Sequence, residues 1–132
     1  MIVVLDCSAA IEIVLKRENG KRLGEIVGTA EKTLSSELFR IEAANVISKY
    51  YRGNYIKKSD CDKILELAES LVDEFIPIKE NSLESMHEAI RLSHSAYDML
   101  YLTLARRIGA TLVTLDRRLN TIAKKEGIDT AC

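Results

Sequence analysis

Length, composition and charge already narrow the class of protein. The chain has 132 residues, of which 47% are hydrophobic and 30% charged, as expected for a single domain, 1–132, with its own core. A net charge of −1 excludes a globally basic nucleic-acid-binding protein, so a phosphate-containing partner needs a local site. Three widely spaced cysteines argue against a disulfide scaffold or a zinc site. No stretch reaches about 20 apolar residues, so we expect a cytoplasmic protein without a membrane partner.

The first half of the chain alternates apolar runs with helical patterns. Residues 2–5 are continuously apolar and β-branched, as in a strand buried on both faces. Ser8 is the expected N-cap of the helix that follows, and Gly53 the expected left-handed stop of a later one. The predicted elements are a strand at 2–5, helices at 8–15 and 21–30, a strand at 32–35, and a helix capped by Ser35 or Ser36 that reaches about Tyr51.

The second half repeats the same alternation. Pro77 places the strand that contains it at a sheet edge or at a strand end, because proline has no N–H to donate. Strands that alternate with helices predict a parallel sheet covered on both faces. The predicted elements are a helix from Ser59 or Asp60 through Val72, a strand at 75–78, helices at 82–92 and 96–108, a strand at 111–115, and a helix through Leu119, Ile122 and Ala123.

Four acidic residues lie where a parallel α/β fold could bring them together. Asp6 follows the first strand and Asp116 the last one, while Glu42 and Asp98 lie in predicted helices. Ligands of open α/β sheets bind beyond the carboxyl ends of the strands. Each of the two strand-end acids could instead cap the next helix, and Asp98 could complete a capping box with Ser95.

Glu42 has the weakest local explanation of the four. It lies on a largely apolar helix face, where a carboxylate without a partner would be costly. Asn45 shares that face and could donate a hydrogen bond, and Arg40 could pair with the acid. Otherwise a metal ion would have to satisfy it, and this is the interpretation that we favour.

Four carboxylates in one pocket would need a cation. Two of them about 5 Å apart repel by roughly 3 kcal/mol at an effective dielectric constant of about 20. Oxygen ligands of this kind suit Mg²⁺ or Mn²⁺ better than zinc. Such an ion can activate water and offset the charge of a phosphodiester. The acids therefore predict a metal-dependent phosphodiesterase.

The residues around these acids resemble those of a known family. The stretches VLDCSA at 4–9, EAAN at 42–45, YDMLYL at 97–102 and TLDRRL at 114–119 are similar, in order and spacing, to motifs of the PIN-domain ribonucleases. The resemblance is specifically to the VapC-type toxins of toxin–antitoxin pairs. It extends over nearly the whole chain, from residue 1 to about 128.

The resemblance implies a fold, an activity and partners. The fold would be a three-layer α/β/α sandwich with a central parallel sheet, and the activity would be Mg²⁺- or Mn²⁺-dependent endoribonuclease cleavage of RNA. The implied partners are the RNA substrate, a cognate antitoxin protein and a second copy in a homodimer. The site residues would be Asp6, Glu42, Asp98 and Asp116 as metal-binding acids, supported by Ser8 and Thr114.

Beside the family pattern, three other residues call for an interpretation. Asn45 is a supporting residue of the candidate site, and Arg117, directly after Asp116, is the best candidate for substrate contact. His94 could act as a general base, but a solvent-exposed or capping role is the favoured interpretation, because a metal-activated water needs no histidine.

Two other function classes remain open from the residues alone. A phosphoacceptor receiver domain also has acids at strand ends, but it needs a lysine after a late strand, where this chain has Arg117. A non-catalytic interaction module would use the acids only as helix caps. Mn²⁺ binding separates this second class from the nuclease.

Overall fold

A parallel sheet of four strands forms the centre of the protein. The structure, a computed structural model, describes residues 1–131, so Cys132 lies outside the described residues. The strands stand in the order β3-β2-β1-β4, with β1 paired in parallel to both β2 and β4. They are β1 Ile2–Leu5, β2 Lys32–Ser36, β3 Glu74–Ile76 and β4 Thr111–Val113.

Helices connect the strands and cover both faces of the sheet. A short 3-10 turn, Ile78–Glu80, links β3 to the next helix. Within residues 1–131 the α-helices are α1 Cys7–Val14, α2 Gly20–Thr29, α3 Leu38–Arg52, α4 Lys58–Ser70, α5 Ser82–Leu92, α6 Ala96–Ile108 and α7 Arg117–Lys125. Among the described residues none of these helices is long and apolar enough to cross a membrane.

Alternating strand residues divide the core into two layers. Val3 and Leu5 of β1 pack with buried residues of α1, α2, α3 and α4. Val4, between them, packs on the opposite face with residues of α6 and α7. Successive side chains of a strand point to opposite faces, so both layers are filled from the same continuously apolar run. The predicted three-layer α/β/α sandwich with a central parallel sheet is confirmed.

The order of the strands decides where the site lies. All four strands are parallel, so their carboxyl ends lie at one edge of the sheet. Asp6 leaves β1 at this edge, and its backbone N–H still bonds the carbonyl of Val113 at 3.1 Å. The residues that follow β4 therefore begin beside Asp6, although more than a hundred residues separate them in the sequence.

Several predicted boundaries differ from the structure. Asp6, rather than Ser8, is the N-cap of α1, because its side chain reaches the N–H of Ala9. Gly53 has an ordinary φ of −85°, and the left-handed residue after α3 is Asn54, with φ of 63°. Strand β4 ends at Val113 rather than 115, because the residues that follow turn away from the ladder to bond side chains at the sheet edge.

Candidate active site at the carboxyl edge of the sheet

Asp6 is a buried carboxylate held by three donors. Its Oδ1 accepts hydrogen bonds from Ser8 Oγ at 2.7 Å and from the Ala9 N–H at 3.0 Å, and its Oδ2 accepts one from the Thr114 hydroxyl. Burial raises the pKa of Asp6 to about 6, and the charge of Glu42 adds to the rise, while the three hydrogen bonds oppose it. The carboxylate is therefore fixed in orientation and incompletely compensated in charge.

Thr114 connects this acid to Asp116. The Thr114 side chain is fully buried, and its hydroxyl oxygen accepts a hydrogen bond from the Asp116 N–H at 3.1 Å. Ser8 Oγ lies 3.3 Å from the same hydroxyl. Asp116 caps α7 by accepting from the Leu119 N–H at 3.0 Å. Asp6 and Asp116 thus both cap helices, as the capping alternative predicts. They are also connected to each other through the Thr114 hydroxyl.

Glu42 projects from α3 and takes its hydrogen bond from α6. The buried Tyr101 donates its hydroxyl to Glu42 Oε1. Neither expected partner does so, because Arg40 pairs with other acids and Asn45, an exposed residue, shows no side-chain hydrogen bond within residues 1–131. Burial raises the pKa of Glu42, and the charge of Asp98 raises it further, against the effect of the Tyr101 bond.

Asp98 lies in the first turn of α6 and bonds a histidine. His94 Nε2 stands 2.8 Å from Asp98 Oδ2. Ser95 caps the helix through the Tyr97 N–H at 3.1 Å, but Asp98 makes no bond back to the backbone of Ser95. The capping-box alternative for Asp98 is therefore wrong. The predicted solvent or capping role of His94 is wrong too, because its side chain is only 5% exposed.

Three acids from separate elements interact electrostatically at this edge. The charge of Glu42 acts on Asp6, and the charge of Asp98 acts on Glu42, so the three form a chain of mutual repulsion. Asp116 joins them through Thr114. Within residues 1–131 no hydrogen bond reaches Glu42 Oε2, Asp98 Oδ1 or Asp116 Oδ2. Each of these acids therefore keeps one oxygen available.

This donor set fits a hard divalent cation by its chemistry. All four candidates are carboxylates, with neutral hydroxyls beside them, as Mg²⁺ and Mn²⁺ prefer. Burial, together with the charges of Asp6 and Glu42, raises the pKa of the neighbouring Cys7 to about 12. Across residues 1–131, however, no three His, Cys, Asp or Glu side chains already form a preassembled cage.

An open cleft adjoins Glu42. It has a volume of about 510 Å³ and a largely apolar lining that includes Glu42, Asn45 and the exposed Tyr97. Arg117 is also exposed, at the first position of α7, next to Asp116. Tyr101 is the site residue that the sequence pattern did not identify. Its place three residues after Asp98 puts it on the same helix face as that acid, but the spacing does not indicate its bond to Glu42.

Comparisons with known proteins agree with this architecture. The chain is 29% identical over 124 residues to ribonuclease VapC3 of Pyrobaculum aerophilum, covering 90% of this chain and 92% of that protein. The crystal structure of PAE2754 from Pyrobaculum aerophilum is similar with a TM-score of 0.75 and 23% identity, over 98% of this chain and 92% of the other. VapBC2 from Rickettsia felis, solved with a DNA fragment from its promoter, has a TM-score of 0.68 and 18% identity, over 98% and 97%. Residues 3–125 match the family model of the PIN domain, so the chain belongs to the PIN-domain family.

Proposed function

We propose that this protein is a Mg²⁺- or Mn²⁺-dependent endoribonuclease. The observation that carries the proposal is the buried carboxylate of Asp6, joined to Asp116 through the Thr114 hydroxyl at the carboxyl edge of the sheet of a PIN domain. A relative named as a ribonuclease supports RNA as the substrate. Membership of the PIN-domain family excludes the receiver-domain alternative. A receiver domain also needs a lysine after a late strand, where this chain has Arg117.

Some residues of the site would bind the cation, and others would bind the RNA substrate. Asp6, Glu42, Asp98 and Asp116 would hold the ion, with Ser8 and Thr114 fixing the orientation of Asp6. A bound ion would lower the pKa of water and offset the charge of the scissile phosphodiester. Arg117, exposed beside Asp116, would contact an RNA phosphate, and Asn45, which lines the adjoining cleft, would have a supporting role.

RNA cleavage by an Asp98→Asn variant tests this proposal. The exchange removes one negative charge from the site and leaves the shape of the side chain, so we expect activity to fall by at least about 100-fold with folding retained. The matched control is Asp62→Asn, which makes the same change at an exposed position of α4. Cleavage should stop on addition of EDTA and return with Mg²⁺ or Mn²⁺. Full activity of Asp98→Asn, or cleavage in EDTA, would contradict the mechanism.

A cognate antitoxin is the proposed protein partner. The support is the similarity to VapC3 by sequence and to VapBC2 by fold. Co-expression with a short adjacent reading frame tests it, since a true antitoxin should co-purify and suppress RNA cleavage. Toxicity on expression with no neutralising neighbour would contradict the pairing and leave the nuclease proposal intact.

A homodimer is the second proposed assembly. Helix α5 carries three exposed apolar side chains, Leu83, Met86 and Ile90, which are 66%, 46% and 72% exposed. Their spacing of three and four residues puts them on one helix face. Exposed apolar patches on a protein surface mark sites of protein–protein contact, so we propose this face of α5 as the contact between two copies.

A non-catalytic interaction module is the second candidate function. Two observations favour it: Asp6 and Asp116 serve as helix caps, and the described residues hold no preassembled three-ligand cage. Calorimetry with Mn²⁺ separates the two candidates. Binding that is lost in Asp98→Asn supports the nuclease, whereas no binding at millimolar Mn²⁺ supports the interaction module.

A further inference from the structure

We propose that His94 and Tyr101 are positioning residues, each holding one oxygen of a metal-binding acid so that the other oxygen stays available. The inference rests on the proposed function, because it assigns a role towards the same cation. His94 acts on Asp98 and Tyr101 acts on Glu42. These acids differ from Asp6 and Asp116 in one respect. Asp6 and Asp116 are anchored by backbone N–H groups, whereas no backbone group within residues 1–131 bonds Glu42 or Asp98 through its carboxylate.

His94 contacts the site through one ring nitrogen. Its Nε2 lies 2.8 Å from Asp98 Oδ2, and a carboxylate accepts hydrogen bonds, so His94 is the donor of this pair. The other ring nitrogen, Nδ1, is buried and finds no hydrogen-bond partner within residues 1–131. The ring therefore acts on the site through Nε2, as a donor that orients the carboxylate of Asp98.

The backbone holds this histidine in place. His94 lies in the short connection between α5 and α6, where its N–H bonds the carbonyl of Ala89 at 3.1 Å. Ser93 before it takes a left-handed φ of 52°, and Arg118 of α7 donates to the Ser93 carbonyl at 3.1 Å. Contacts from α5 and α7 thus hold the backbone at this position, and the ring in turn bonds Asp98 of α6.

Tyr101 supplies the equivalent contact for Glu42. Its side chain is 1% exposed and its ring packs in the core layer formed by α6 and α7, so the hydroxyl has little freedom to turn elsewhere. Asp98 and Tyr101 are three residues apart on α6 and lie on the same face. One face of α6 therefore carries one acid of the site and the donor that orients the acid of α3.

Four variants test the two contacts by Mn²⁺ affinity, measured by calorimetry without RNA. Tyr101→Phe and His94→Leu remove a donor, and we expect their affinity to fall by about 10- to 100-fold, as for other residues that orient metal ligands. His94→Gln keeps an N–H donor at the same reach and should recover most of the affinity. His87→Leu changes the other histidine, which is exposed, and should bind as wild type. Thermal unfolding verifies that each variant is folded.

The outcomes separate this inference from the proposed function. Wild type that binds no Mn²⁺ would overturn both. Wild type that binds, with Tyr101→Phe and His94→Leu binding equally well, would overturn the positioning roles alone. A Gln variant as weak as the Leu variant would show that His94 acts by packing, not by donation.

Discussion

Thr114 joins two site acids through a single hydroxyl group. It donates to Asp6 and accepts from the N–H of Asp116, while Ser8 lies against the same oxygen. A buried hydroxyl with two such partners fixes the distance between the end of β1 and the start of α7. Its loss would leave one buried acceptor and one N–H without their partner.

Thr114→Val should therefore impair both stability and activity. We expect the free energy of unfolding to fall by about 1–3 kcal/mol, and RNA cleavage by about 10- to 100-fold because Asp6 loses a fixed orientation. The matched control is Thr103→Val, another fully buried threonine whose hydroxyl bonds Asn81 and Ser85 rather than an acid. Urea unfolding and cleavage assays on both variants measure the difference. Equal activity in the two variants would contradict a role of Thr114 in the site.

The acidic residues of the site were easier to identify from the sequence than their hydrogen-bond partners. Asp6 and Asp116 follow apolar runs, and their capping bonds reach only three residues along the chain. The bond of Glu42 to Tyr101 spans 59 residues, and nothing in the local pattern of either residue indicates it. Local rules offered Asn45 and Arg40 instead, because those residues are neighbours on the same helix.

At the scale of elements, ion pairs clamp α5 to α6. Glu88 of α5 accepts from Arg91 at 2.6 and 3.0 Å and from Arg106 of α6 at 2.9 Å. Arg106 also bonds Glu84 at 2.6 Å. The pKa of Glu88 is lowered to about 2, mainly by the hydrogen bonds from Arg91. These bonds keep α5 in register with the helix that carries Asp98.

Glu88→Gln should destabilise the protein in a pH-dependent way. The folded pKa lies below that of an unfolded glutamate, about 4.3, so the stabilisation is complete above that pH and is lost as the pH falls towards 2. We expect a loss of about 1–2 kcal/mol at pH 7, since the arginines are partly exposed. Urea unfolding between pH 7 and pH 3 measures it. The control is Glu66→Gln, at an exposed position 3.9 Å from a lysine, and its free energy of unfolding should change little. A loss of stability in Glu88→Gln that does not depend on pH would contradict the ionic explanation.

Element boundaries were predictable where the pattern is local. Helices α5 and α6 span 82–92 and 96–108, as their apolar spacing predicts, and α6 ends at Gly109, which has a left-handed φ of 65°. The end of β4 was not predictable, because Thr114 and Leu115 continue the apolar, β-branched pattern of the strand. Thr114 leaves the ladder to bond Asp6, a side chain that only the folded sheet brings near.

For the whole molecule, the exposed face of α5 is where assembly can be tested. Ile90→Glu puts a charge on the most exposed residue of the apolar face formed by Leu83, Met86 and Ile90. If this face joins two copies, we expect a monomer by light scattering, because a buried unpaired charge opposes association. Leu67→Glu on α4, where the leucine is 41% exposed, is the control and should stay dimeric. A dimer that persists in Ile90→Glu would contradict this placement of the interface.

The hydroxyl of Thr114 also sets when the site can exist during synthesis. Its bond to Asp6 spans 108 residues, and β4, which flanks β1 in the sheet, is synthesised after the other three described strands. A nascent chain that has emerged only through α6 therefore holds Asp6, Glu42 and Asp98 but not the partner that orients Asp6. We expect a ribosome-bound fragment of this kind to be inactive. Under the proposed ribonuclease function, RNA near the ribosome would be spared until the residues that follow β4 have emerged.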